Sequence, residues 1–116
     1  MAIDAFTIIH LFHIFIVGPL FLYVGTKGIT IPPMMFPFLL GLGCFIIAYH
    51  SYLAYKKYNL GISAWVNYIH IFIVGPLLAY IGYQGLDTSR KFFEILLMLG
   101  IASIGYHGYY LYKEHV

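Results

Sequence analysis

Apolar residues fill four long stretches of this chain, and most of its charged residues lie in the short gaps between them or at the stretch ends. The stretches run approximately Phe6–Gly25, Pro33–Tyr55, Ser63–Gly82 and Lys91–Tyr112. Each is close to the about 20 residues that a helix needs to cross the hydrocarbon layer of a bilayer. The gaps hold turn and breaker residues. Thr26, Lys27, Gly28, Pro32 and Pro33 stand in the first, Asn59 and Gly61 in the second, and Tyr83 to Arg90 in the third. Ser63 is expected to cap the third helix, and Asp87 or Ser89 the fourth.

The pattern repeats in letters as well as in polarity. His-Ile-Phe-Ile-Val-Gly-Pro-Leu runs from His13 to Leu20 and again from His70 to Leu77, 57 residues later. The same offset carries Tyr23 onto Tyr80, Gly25 onto Gly82, Gly28 onto Gly85, Phe36 onto Phe93 and Gly43 onto Gly100. It also carries His50 onto His107, Tyr52 onto Tyr109 and Lys56 onto Lys113. This is a tandem duplication, with repeat one over 6–58 and repeat two over 63–115. Each repeat makes two crossings, so both enter the membrane from the same side. The expected fold is all-α. It is a membrane four-helix bundle of two tandem two-helix repeats, antiparallel between neighbours, with a pseudo-two-fold axis along the membrane normal. Residues 1–116 form one integral membrane domain with both termini on the same side.

Composition supports the lipid solvent. Of the 116 residues 62% are hydrophobic and 9% charged, against about a quarter charged in a soluble domain. A chain this short could not hide so much apolar surface from water. The net charge of +2 is scattered, so no nucleic-acid partner is expected. Lys56, Lys57 and Lys113 on one side balance Lys27, Arg90 and Lys91 on the other, which leaves orientation unread. The single Cys44 excludes an internal disulfide. A removable signal peptide over the first stretch is rejected, because that stretch is the twin of the third.

Pro19 and Pro76 lie mid-span. A proline cannot donate to the carbonyl four residues back and crowds it. The carbonyls of Phe15 and Phe72 are therefore expected to be freed and both helices kinked. This either shapes helix packing or supplies a ligand or proton-path element.

The histidines carry the candidate chemistry. His13 lies seven residues past Phe6, and His70 seven past Ser63. At about 1.5 Å per residue both sit about 10 Å deep from the terminal side. His50 and His107 lie six residues before Lys56 and Lys113, about 9 Å deep from the same side. One histidine from each helix thus falls in one layer. Ionisable groups inside a bilayer are rare and usually functional, and neutral imidazole ligates zinc, copper and haem iron. Gly43 and Gly100 stand two turns before His50 and His107 on the same stripe. They allow close helix approach or leave room for a flat macrocycle, with Ile47 and Ile104 between. His10 and His115 are secondary, since their twins are Asn67 and Tyr58.

Several readings stay open. The layer binds haem b through two of the four histidines, or a transition metal ion such as zinc, copper or iron through all four, and serves electron transfer or cofactor binding with a redox partner. Alternatively the histidines only hydrogen-bond across helices, or they line a route for protons, ions or small solutes. The tyrosines suit the headgroup level as anchors. Asp4, Asp87, Glu94 and Glu114 lie at or outside the interfaces, and no nucleophile–base–acid set is visible. A carrier or binding protein is expected before an enzyme, and a homo-oligomer is compatible with it.

Residues 68 to 82 read Tyr-Ile-His-Ile-Phe-Ile-Val-Gly-Pro-Leu-Leu-Ala-Tyr-Ile-Gly. Residues 93 to 100 read Phe-Glu-Ile-Leu-Leu-Met-Leu-Gly, and 105 to 109 Gly-Tyr-His-Gly-Tyr. With these phrases most of the chain resembles the small four-helix membrane proteins encoded by giant DNA viruses of algae and protists. The resemblance implies a viral or host internal membrane as the setting, and it favours a non-catalytic component of such a membrane.

Overall fold

A computed structural model describes residues 4–115. The described residues form helices joined by short turns, with no strand among them. Four helices are each long and apolar enough to cross a membrane: α1, Ala5–Thr30; α2, Met35–Asn59; α3, Trp65–Asp87; and α4, Arg90–His115.

The chain divides into two compact units. One joins residues 4–28 to 93–115, which is α1 with α4; the other is residues 29–92, which is α2 with α3. Each unit therefore takes one helix from each sequence repeat. In both, the first helix of one repeat lies antiparallel to the second helix of the other. Gly18 meets Ile104 and Gly25 meets Leu97 in the first unit; Gly75 meets Ile47 and Gly82 meets Leu40 in the second.

The two units bury twin positions. Phe21, Val24, Phe93 and Leu96 are buried in the first; Leu78, Ile81, Phe36 and Leu39 in the second. Other large apolar side chains stay exposed at mid-helix, with Phe15 at 67% and its twin Phe72 at 71%. Helices that carry such surfaces suit an apolar solvent, where every backbone group is bonded within its own helix. Near the end of α2 the Lys56 ammonium stands 5.4 Å from the Tyr52 ring centre. Its twin Lys113 stands 6.0 Å from that of Tyr109.

The turns follow their breakers, with one correction. Gly28 and Gly85 close the long α-helical parts of α1 and α3 at φ of 60° and 58°, where a side chain would be strained. Ser63 does not cap α3. The capping position is Ala64, which makes no side-chain cap bond, because the chain leaves α2 through Gly61 at φ 69° and starts α3 one residue later than expected. Between α3 and α4 the Thr88 hydroxyl donates to the Gly85 carbonyl at 2.7 Å.

At the start of α1 the Asp4 carboxylate accepts the Thr7 N–H at 2.8 Å. This bond, helped by the Thr7 side chain and by His115, holds the Asp4 carboxyl below its ordinary 3.8. The group is therefore charged and capping throughout the range above pH 3.8. Its contribution is lost only as pH falls through the lowered value. Amide exchange in the first turn of α1 should accelerate in that acid window; an onset near neutral pH would assign the cap to another group.

Candidate functional site

The site begins with the prolines. In α1 the residues His13–Val17 form a π-helical turn, and the Gly18 N–H reaches back five residues to the His13 carbonyl. In α3 the residues His70–Val74 do the same, with the Gly75 N–H on the His70 carbonyl. Pro19 and Pro76 lack an N–H and crowd the carbonyl four back. A wider turn ahead of each proline relieves that crowding. The expected kink is thus a π turn, and each one opens at a histidine.

These two histidines hold matching hydrogen bonds. His13 Nδ1 lies 2.8 Å from the Ile9 carbonyl oxygen. His70 Nδ1 lies 2.8 Å from the Val66 carbonyl oxygen. A carbonyl only accepts, so Nδ1 bears the proton in both. In a neutral imidazole that leaves Nε2 with the lone pair.

Each histidine stacks on a histidine of the other helix in its unit. The rings of His13 and His107 lie 4.1 Å apart at 19°. Those of His50 and His70 lie 4.0 Å apart at 11°. Antiparallel pairing brings each couple level, so within each unit the two histidines expected at one depth do meet. His107 is buried, and the other three are half-buried. Among the described residues no group of three or more His, Cys, Asp or Glu side chains is arranged to hold a metal ion.

Behind each pair runs a chain of polar side chains. In the first unit His107 Nδ1 lies 2.9 Å from His10 Nδ1, and His10 Nε2 lies 3.3 Å from Glu114 Oε1. Tyr110 stacks on His10 with ring centres 6.4 Å apart. The His115 ring lies 3.2 Å from the Thr7 hydroxyl. In the second unit Lys57 Nζ donates to Asn67 Oδ1 at 2.6 Å, and Asn67 Nδ2 lies 2.8 Å from His50 Nδ1. The offset of the duplication maps one chain onto the other: His10 onto Asn67, His50 onto His107 and Lys57 onto Glu114. Every buried polar side-chain atom among the described residues has a partner.

Gly43 and Gly100 act through close approach. A β-carbon on Gly43 would lie 2.6 Å from the Gly75 carbonyl oxygen, and one on Gly100 would lie 2.9 Å from Phe21 Cβ. Backbone or side chain of the facing helix fills that space. Cys44 is exposed on α2.

His10 and Asn67, read from the sequence as secondary, and Lys57 and Glu114, read only as interfacial charges, complete these chains. His10 and Asn67 differ in type and so escape a search for identities. They share a place, one turn before a kept histidine, and both are polar in an apolar run. That positional signal was readable. No family model, no curated protein and no solved structure matches this chain.

Proposed function

We propose that this chain is an integral membrane protein whose paired histidines ligate a transition-metal centre, haem b or an ion such as copper, zinc or iron, for electron transfer or for binding of that centre. The observation that carries this reading is the tautomer of the twin histidines. His13 and His70 each donate Nδ1–H to a carbonyl, the bond that orients metal-ligating histidines and directs Nε2 to the metal. The stacking weighs on which centre is held. As stacked at 4.1 and 4.0 Å, neither couple would leave room for a flat macrocycle between its rings. A stacked couple would instead offer imidazole nitrogens to a single ion.

The hydrogen bonds of His10 to His107 and of Asn67 to His50 favour a second reading. In it they are clasps that hold each helix pair together, in a structural component of a viral or other internal membrane. An absorption spectrum with elemental analysis separates the two. Protein purified from cells supplied with haem and metals should show a Soret band that shifts with dithionite, or stoichiometric copper, zinc or iron without one. A colourless, metal-free product would leave the clasp.

A further inference from the structure

The two units differ in charge at the end where α2 passes into α3 and its twin. In the α2–α3 unit that end carries Lys56 and Lys57, adjacent in sequence. Lys57 Nζ donates to Asn67 Oδ1 at 2.6 Å, and Asn67 is buried. The bond ties this ammonium to both helices of the unit. An ammonium has three donors, and Asn67 takes one. The Lys56 ammonium is held over the Tyr52 ring. Residues 29–92 contain a single carboxylate, Asp87. It closes α3 at the opposite end, roughly 30 Å away along the helix. The twin end of the α1–α4 unit is balanced instead. Lys113 stands there in the place of Lys56, but Glu114 replaces Lys57, and Asp4 adds a second carboxylate at the start of α1. Exposed aromatic rings share the Lys56–Lys57 end: Tyr52, Tyr55, Tyr58, Trp65 and Tyr68. Rings with an apolar body and a polar tip concentrate at the headgroup level of a bilayer.

We infer that this end of the α2–α3 unit is a binding surface for the headgroups of acidic phospholipids, with Lys56 and Lys57 meeting the phosphate and the exposed rings meeting the upper acyl chains. The inference rests on the four apolar helices spanning a membrane and is independent of the metal reading. A phosphate diester only accepts hydrogen bonds, and a lysine only donates them. Each basic residue at an anionic surface is worth about fivefold in affinity, or about 1 kcal/mol. Two lysines without a nearby carboxylate of their own unit keep that attraction, whereas Glu114 and Asp4 offset it at the twin end. The flanking rings favour a lipid over a free phosphate ion, which offers them no acyl chain.

Trp65 is the single tryptophan of the chain and stands at this end, 54% exposed, so its fluorescence reports the lipids beside it. The test places the full chain in bilayers of phosphatidylcholine and phosphatidylglycerol, with one lipid or the other brominated high on its acyl chains. Brominated phosphatidylglycerol should quench Trp65 more than its share of the bilayer predicts, and brominated phosphatidylcholine less. The preference should shrink as salt rises from about 0.1 M to about 1 M, where the screening length falls from about 10 Å to about 3 Å. Lys56→Gln should lower it about fivefold, and the Lys56→Gln, Lys57→Gln double variant should abolish it. Lys57→Arg keeps the charge beside Asn67 and should keep the preference. Lys91→Gln, at the start of α4 and so at the other end of the spans, should leave it unchanged. Quenching in proportion to bilayer composition would overturn the inference, as would a preference that survives the double variant. Release of the quenching by inorganic phosphate at constant ionic strength would overturn lipid as the occupant. No quenching by either lipid would instead sink the placement of this end in a bilayer, and with it the membrane reading.

Discussion

Gly82→Ala is expected to destabilise the α2–α3 unit by about 1–3 kcal/mol, the ordinary cost of forcing atoms into a filled contact. A β-carbon there would strike the Leu40 nitrogen and the Phe36 carbonyl oxygen. Both are backbone atoms, so no rotamer change can make room, and the helices must separate. Gly25→Ala should act alike in the α1–α4 unit, where the obstacle is the backbone of Leu97. Gly105 is the control, because a β-carbon there meets nothing within 4 Å. Its replacement by alanine should be neutral or stabilise the helix by up to about 1 kcal/mol. Reversible denaturation in mixed micelles reads these differences. If Gly82→Ala and Gly105→Ala unfold alike, the close approach of α2 and α3 is not what holds that unit.

Pro76→Ala should remove the stack of His50 on His70. Alanine restores an N–H and ends the crowding that the π turn relieves, so the turn can close to ordinary α-helix. Closing it removes one residue's worth of winding. The segment before it then rotates by about 100° relative to the segment after it. Gly75 and Gly82 are locked against α2 backbone, so the rotation falls on the His70 side. His70 would leave the face that meets His50. Ring-to-ring carbon contacts in solid-state NMR spectra, present in the parent protein at a centroid distance of 4.0 Å, should vanish. Their survival in Pro76→Ala would show that packing, and not the proline, opens the turn. Pro19→Ala makes the same prediction for His13 and His107.

Much of this was legible in the chain itself. Span lengths, turn glycines and a break in regular α-helix beside Pro19 and Pro76 follow from local rules: apolar run length, positive φ at glycine and the missing proline N–H. Within each unit the meeting of the two histidines also follows, because level along antiparallel helices is arithmetic on residue number. The kink's form was not legible, since a freed carbonyl and a π turn answer the same proline. Nor was the role of Gly43. A glycine serves equally to admit a macrocycle or a neighbouring backbone, and only the Gly75 carbonyl lying against it shows which.

By itself the sequence determined four apolar helices and the duplicated positions. These depend on neighbours within a few residues or on a count along one helix. Tertiary structure decided which helices pair, and with that everything about polarity. His10 and His107 are 97 residues apart in the chain, and His10 and Glu114 are 104 apart. No local preference links them; only the antiparallel packing of α1 against α4 does. Each hydrogen-bond chain ends in a charge, a carboxylate in one unit and an ammonium in the other, and those charges matter only once the helices have met.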